Sequence, residues 1–220
     1  MSIRNRTLSG FLLIILVGPL ASAQGLGTPA RTKVDVALDL DEIARIATVM
    51  VDGDVCQTIM TKRALERMFA VDPKDPYAAG DNFDVNHEPY IATKKTLIRL
   101  SQLVPYNCDV NLWMPFQDKP DKIQVLIRNA NEWSQFWTWG KLTQDMPAEM
   151  KRVLESGKRE KVTRVPGMIS VLSPVYNSLG EIVALVEVIA AEPGAEIPQV
   201  HAIMRFRQIQ KQKQPRIRRS

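Results

Sequence analysis

Cysteine and histidine are scarce in this sequence of 220 residues, and their scarcity excludes several classes of site. The chain has two cysteines, Cys56 and Cys108, and two histidines, His87 and His201. No C-x-x-C pair or haem-attachment motif occurs, and Ile91 stands where a zinc-binding helix starting at His87 would need its second histidine. We therefore expect neither a metal ion nor another cofactor.

Long apolar runs are equally rare, and the one near the N-terminus is too short to cross a membrane. Residues 11–17 are unbroken apolar sequence that ends at Gly18, whereas a membrane span needs about 20 apolar residues. A charged start precedes this run and Ala21-Ser22-Ala23 follows it, which is the pattern of a cleaved signal peptide over residues 1–23. We predict cleavage near Ala23 and a periplasmic or secreted mature protein.

Export bears on the two cysteines, because disulfides form and persist in oxidising compartments. A Cys56–Cys108 disulfide would stabilise the fold by about 4 kcal/mol if it acts by restricting the unfolded chain. Two free, buried thiols are the alternative. We favour the disulfide.

Acidic residues are missing from the C-terminal end of the chain. Seven of the positive charges lie in residues 205–220 and two lie in the signal peptide, so the net charge of +5 becomes −4 for residues 24–204. A stretch this rich in Gln and Arg buries too little apolar surface to fold, so we predict a disordered basic tail. The tail indicates no specific nucleic-acid partner.

Between the termini the sequence predicts helices followed by an antiparallel sheet, which is α+β in class. After a flexible leader, residues 24–36, a helix is expected to start at Asp39, with Glu42 completing a capping box. Gly53 either breaks this helix or lies within it, and a second helix is predicted over residues 88–103. The predicted strands are residues 109–116, 122–129, 161–165, 169–176 and 181–190, with a short helix at 147–155.

The final hairpin, residues 169–190, is apolar on both faces, so both faces need cover. Its loop ends in Gly180, which suits the left-handed position of the turn. Alternate side chains of the second arm point to opposite sides of the sheet, and one side carries Glu187, whose charge is costly to bury without partners. A small-molecule pocket would explain this pattern, and a covering helix or partner subunit would explain it equally.

Aromatic residues make up only 6% of the chain, yet all four tryptophans lie between Trp113 and Trp139. Three of them occur in residues 128–141 beside Asn and Gln side chains, a mixture that suits a small organic anion or amide. Arg128 could pair there with a carboxylate. Closely spaced tryptophans are equally typical of a protein core, which is the alternative.

Residues 146–190 resemble the C-terminal half of Cache domains, the extracellular PAS-like sensory modules of bacteria. The resemblance lies in the short helix ending in Ser156-Gly157-Lys158, the strand after it and the hairpin SVLSPVYNSLGEIVALVEV. It implies a single domain over residues 37–204, with a five- or six-stranded antiparallel sheet and long N-terminal helices packed on one face. It also implies a small-molecule pocket on the front of the sheet. The residues that it places near this pocket are Trp113, Arg128, Asn131, Trp133, Trp137 and Tyr176.

Cache domains usually lie between two membrane spans and drive a cytoplasmic output, and this sequence predicts neither a second span nor an output domain. The resemblance therefore implies a free-standing, exported module that binds a small organic ligand. A separate envelope signalling protein would read its occupancy, and a homodimer is left open. One alternative is an envelope structural or interaction protein with a Trp-rich face. Another is an enzyme with Glu187 as proton acceptor, but we expect no enzyme, because the sequence offers no nucleophile–base pair or phosphate loop.

Overall fold

The predicted α+β class is confirmed, and the sheet has six antiparallel strands. The computed structural model describes residues 31–69, 84–137 and 143–195. The helices are α1 Lys33–Met50, α2 Gly53–Ile59, α3 Lys62–Phe69, α4 His87–Ser101 and α5 Ala148–Ser156. The strands are β1 Cys108–Pro115, β2 Lys122–Ile127, β3 Thr143–Asp145, β4 Glu160–Val162, β5 Met168–Tyr176 and β6 Ile182–Ala191. Their order in the sheet is β3-β2-β1-β6-β5-β4.

Some predictions concern residues outside the described ranges. These are the signal peptide of residues 1–23, residues 24–30 of the leader, Trp139 and the basic tail of residues 205–220. Within the ranges that are described, no helix combines the length and the apolar character that crossing a membrane would need.

Helix α1 begins at Lys33, well before the predicted start at Asp39. The reason is a capping box in which Thr32 Oγ1 accepts a hydrogen bond from the Asp35 backbone N–H at 3.2 Å. In return, the Asp35 carboxylate accepts from the Thr32 backbone N–H at 2.8 Å, so two N–H groups at the helix start are satisfied. The last residues of the predicted leader, 33–36, therefore belong to α1.

The first helix is interrupted next to Gly53, which is one of the two outcomes that the sequence allowed. Helix α1 ends at Met50, and the Asp52 carboxylate caps α2 by accepting backbone hydrogen bonds from its first turn. A side chain is excluded at Gly53, because a Cβ there would lie 2.4 Å from the Tyr176 carbonyl oxygen. The missing side chain lets α2 approach the end of β5 closely.

Most other predicted elements overlap their expected ranges. The short helix α5 ends at Ser156, and Gly157 follows it in the left-handed conformation that is typical of a glycine cap. Gly180 has a φ of 79°, which confirms its predicted place in the hairpin turn. Strand β3 was not predicted, because three polar residues carry no alternating pattern that would mark a strand.

The back of the sheet is covered by helices. Helix α1 packs on β5 and β6, α2 packs on α4, and α4 packs on β1. The buried side chains of α1 are Val36, Leu40, Ile43, Ala44 and Ala47. They share one apolar core with Val171 of β5 and with Val186 and Val188 of β6.

The predicted disulfide is absent: Cys56 and Cys108 are free thiols, and both are buried in the core of the back layer. Cys56 lies on α2, which packs mainly on α4, β5 and β6, whereas Cys108 starts β1. Burial raises the pKa of each thiol to about 12, so both stay protonated at neutral pH. In the structure the two thiols pack as small apolar side chains, which is the arrangement of the alternative.

Candidate ligand site

The front of the sheet is covered by the chain itself. Residues 128–137, called the front segment below, are hydrogen-bonded to β1 and β6, and α5 packs on β5 and β6. Trp113, Leu172 and Leu185 project from the sheet into an apolar core that includes side chains of both elements. Phe136 of the front segment meets Trp113 edge-on, with ring centroids 6.2 Å apart. Side chains of this chain therefore fill the space before the second face of the hairpin.

Glu187 is fully buried on this face, and the partners that the structure gives it are all neutral. Its Oε2 accepts hydrogen bonds from Trp113 Nε1 at 3.0 Å and from Ser134 Oγ at 2.7 Å. Its Oε1 accepts from the Gln135 backbone N–H at 2.7 Å. Burial raises the pKa of Glu187, and the hydrogen bonds oppose that rise by favouring the charged form.

Asp109 holds the front segment in a similar way on β1. Its carboxylate accepts from the Asn131 side chain at 2.9 Å and from the Trp133 backbone N–H at 2.9 Å. The Asn131 backbone N–H donates to it as well, at 3.2 Å. Burial raises the pKa of Asp109, while the hydrogen bonds from Trp133 and Asn131 lower it. The two carboxylates thus bind successive parts of one segment to the sheet.

Two buried amides complete this network. Asn111 donates to the Trp133 carbonyl oxygen at 2.7 Å and accepts from the Asn129 backbone N–H at 3.2 Å. The Gln135 side chain donates to the Met168 carbonyl oxygen at 3.1 Å and accepts from the Val165 backbone N–H at 2.6 Å. Because these bonds reach backbone groups, they fix the backbone of the front segment as well as the orientation of its side chains.

Three of the six predicted ligand residues belong to this network. Trp113 and Trp133 are only 1% and 5% exposed, and Asn131 is bound to Asp109. Trp113 is part of the front core, and Trp133 packs with Ile189 in a smaller apolar cluster.

The other three predicted residues lie at the margins of the front layer. The Arg128 guanidinium lies over the Trp137 ring, 4.4 Å from its centroid, and 3.8 Å from the Glu132 carboxylate. Trp137 Nε1 is buried and has no hydrogen-bond partner among the described residues. Tyr176 stands apart at the end of β5, where its hydroxyl donates to the Gly157 carbonyl oxygen at 3.3 Å.

A cleft of about 560 Å³ lies at the helical side of the sheet, between α2–α3 and the link from β1 to β2. Small-molecule sites have volumes of about 300–1,000 Å³, so this cleft is of suitable size. Its lining residues, called the cleft residues below, are Gln57, Met60, Lys62, Leu65, Glu66, Met114, Pro115, Phe116, Gln117, Asp118, Lys119 and Gln124.

Gln124 supplies a buried polar group to this cleft. Its neighbours Ile123 and Val125 point into the front core, so alternation along β2 directs Gln124 to the helical side. Only 1% of its surface is exposed, and its Oε1 has no hydrogen-bond partner among the described residues. A buried polar atom without a partner is uncommon in native proteins.

A second groove, of about 740 Å³, lies at the same end of the sheet beside α5. Phe116, Met146, Leu154 and Ile182 contribute apolar surface to it. None of its described lining residues carries a buried, unpaired polar atom, so it offers no fixed group to orient a ligand.

Neither the cleft nor a role for Gln124 in a ligand site was predicted from the sequence. A signal was present, because Gln124 interrupts the run of buried apolar residues from Ile123 to Ile127. An amide in such a run needs a partner, which the sequence alone does not identify.

Metal binding has no support in the described part of the chain, where no three His, Cys, Asp or Glu side chains could hold an ion together. Comparison with protein-family models gives no match, and comparison with curated proteins gives none either. The geometry of the cleft and of the front segment is therefore the basis for assigning a function.

Proposed function

We propose that the chain is an exported small-molecule-binding module whose ligand binds in the cleft on the helical side of the sheet. The observation that carries this proposal is a cavity of about 560 Å³ with apolar walls and one buried, unpaired amide. Small-molecule sites share this combination of apolar surface with a few placed polar groups. The signal-peptide pattern of residues 1–23 supports export.

A sensory role is supported by the resemblance to Cache domains. A six-stranded antiparallel sheet with α1 packed on β5 and β6 is consistent with the architecture which that resemblance implies. A ligand in the cleft would touch α2, α3 and the β1–β2 link together. Occupancy would then change the relative positions of helices on the surface, which a separate envelope signalling protein could read.

The front of the sheet, where the resemblance implies a pocket, receives less support as the ligand site. Trp113 and Phe136 pack against each other there within an apolar core. A close-packed core does not admit a ligand unless side chains are displaced. An envelope interaction protein with a Trp-rich face is supported less for a related reason, because Trp113 and Trp133 are buried.

Filling the cleft tests the proposal. Leu65→Trp places an indole among the cleft residues, and Leu38→Trp makes the same change at a position on α1 that is 64% exposed. The melting temperature of the full chain is measured against a panel of amino acids, carboxylates, amines and amides. We expect at least one compound to stabilise the wild type and Leu38→Trp but not Leu65→Trp. The proposal is contradicted if no compound stabilises the wild type, or if every stabilising compound raises the melting temperatures of the wild type and both variants alike.

A further inference from the structure

The unpaired oxygen of Gln124 points to the chemistry of the ligand. Its Oε1 is buried without a hydrogen-bond donor among the described residues, and its side chain lines the cleft. Gln135, the comparable amide on the front, shows the usual arrangement, since its Oε1 accepts from the Val165 backbone N–H at 2.6 Å. The group that Oε1 of Gln124 lacks is therefore a donor.

The charged cleft residues favour neither a cation nor an anion. Lys62 and Glu66 of α3 and Asp118 and Lys119 of the β1–β2 link contribute two charges of each sign. All four side chains are exposed, so water and salt screen them. A charged ligand would lose hydration in the cleft without meeting a buried counter-charge among these residues.

The remaining walls favour an apolar ligand of variable shape. Met60, Leu65, Met114, Pro115 and Phe116 supply the apolar surface. Methionine side chains are flexible and polarisable, so Met60 and Met114 can adapt to ligands of different outline.

We propose that the cleft takes a neutral, mostly apolar organic molecule that carries an N–H group, as an aromatic amine or an amide. The N–H donates to Oε1 of Gln124, and the body of the molecule packs on the apolar cleft residues. This inference rests on the proposed function, and it adds the chemical class of the ligand and the residue that selects it.

Two probes of nearly identical shape separate the hydrogen bond from apolar burial. N-phenyl-1-naphthylamine is neutral, carries one N–H and becomes fluorescent in apolar surroundings. 1-Naphthyl phenyl ether has oxygen in place of the N–H. The purified full chain is titrated with the amine by fluorescence, and the ether is measured by its competition with the amine.

The expected result is that the wild type binds the amine about tenfold more tightly than the ether, because the ether leaves Gln124 Oε1 unpaired. Gln124→Met should weaken amine binding to the level of the ether. Leu65→Trp should abolish binding of both probes, and Leu38→Trp should leave both unchanged.

Different failures overturn different statements. Equal binding of the two probes to the wild type, together with loss of both in Leu65→Trp, overturns the inference about the N–H group and leaves the cleft as a binding site. Binding that survives Leu65→Trp, or no binding of either probe to the wild type, overturns the inference and counts against the proposed function as well. The amine-to-ether ratio of the wild type decides the inference even where Gln124→Met does not fold.

Discussion

The two layers on either side of the sheet differ in what surrounds their buried polar groups. In the front layer Asp109, Glu187 and Gln135 each make several hydrogen bonds, and most of these reach backbone groups of the chain. On the helical side Gln124 is equally buried, and its Oε1 has no partner among the described residues. Asn129 Nδ2 and Trp137 Nε1 of the front segment are also buried without a partner among the described residues. What distinguishes the helical side is that its unpaired amide lines a cleft of about 560 Å³, so that side is the better place to look for a ligand.

The comparison shows why tryptophan density was an ambiguous guide. Large rings line ligand pockets and fill cores for the same reason, since both uses remove apolar surface from water. Here Trp113 fills a core, and its Nε1 donates to a buried carboxylate of the same chain. The packing of Trp113 and its hydrogen bond to Glu187 decided between the two uses where composition did not.

The largest expected effect comes from breaking the front layer at Glu187. Glu187→Ala leaves Trp113 Nε1, Ser134 Oγ and the Gln135 N–H without their acceptor and creates a cavity. We expect the free energy of unfolding to fall by about 3 kcal/mol or more, measured by urea denaturation. Glu155→Ala, at an exposed position of α5, is the control and should change it by about 0.5 kcal/mol at most. A loss as small as the control's would mean that Glu187 does not hold the front segment.

The two buried glutamines allow a matched test of the comparison. Gln135→Met removes bonds to the Val165 N–H and the Met168 carbonyl oxygen, whereas Gln124→Met removes an amide whose Oε1 is unpaired. We expect Gln135→Met to lower the free energy of unfolding by about 2 kcal/mol more than Gln124→Met does. Urea denaturation of both variants under identical conditions gives the difference. Equal costs would show that Gln124 has a partner that matters to stability, and the contrast between the layers would fail.

The smallest expected effect is a pH dependence of the free energy of unfolding, which arises from Glu187 in the front layer. The pKa of Glu187 is raised above its ordinary value of 4.5, so between 4.5 and the folded-state pKa the native protein keeps a proton that the unfolded chain has lost. Its contribution to the free energy of unfolding therefore falls as the pH rises through that window, by about 1.4 kcal/mol per pH unit at most. Above the folded-state pKa the contribution is constant.

Glu187→Gln isolates this contribution, because it removes the titrating group and keeps Asp109, whose pKa is also raised. The stability of the wild type relative to Glu187→Gln, from urea denaturation at pH 4 to 8, should decrease as the pH rises from about 4.5. A relative stability that increases over that range would mean that the pKa of Glu187 is lowered in the folded state.

Much of the fold could be predicted, because its signals are local. The turn at Gly180 and the cap at Gly157 are read from single residues, and the two faces of β6 are read from alternation. The predicted start of α1 was wrong for a local reason too, because the helix is capped by Thr32 and Asp35 and not by the capping box expected at Asp39. Strand β3 was missed because its three residues pair with β2 without any pattern of their own.

Less of the candidate site could be predicted. The resemblance directed attention to the front of the sheet, and two of its residues, Arg128 and Trp137, do stack on each other. The partners of Glu187 come from β1 and from the front segment, so no short stretch of sequence could reveal that its carboxyl oxygens have hydrogen-bond donors. A pair of cysteines likewise says nothing about which elements α2 packs against, and the structure has both thiols free.

The sequence by itself determined the α+β class, the turn at Gly180, the cap at Gly157 and the burial of both faces of the final hairpin, because each depends on neighbours along the chain. Only the tertiary structure decided which buried polar groups have partners and where a cleft remains. Gln135 meets Val165 and Met168 across the front, whereas the buried side chain of Gln124 lies at the lining of the cleft beside α2 and α3. Hydrogen-bond satisfaction and empty space are properties of segments far apart in sequence that meet in the fold, and no local pattern carries them.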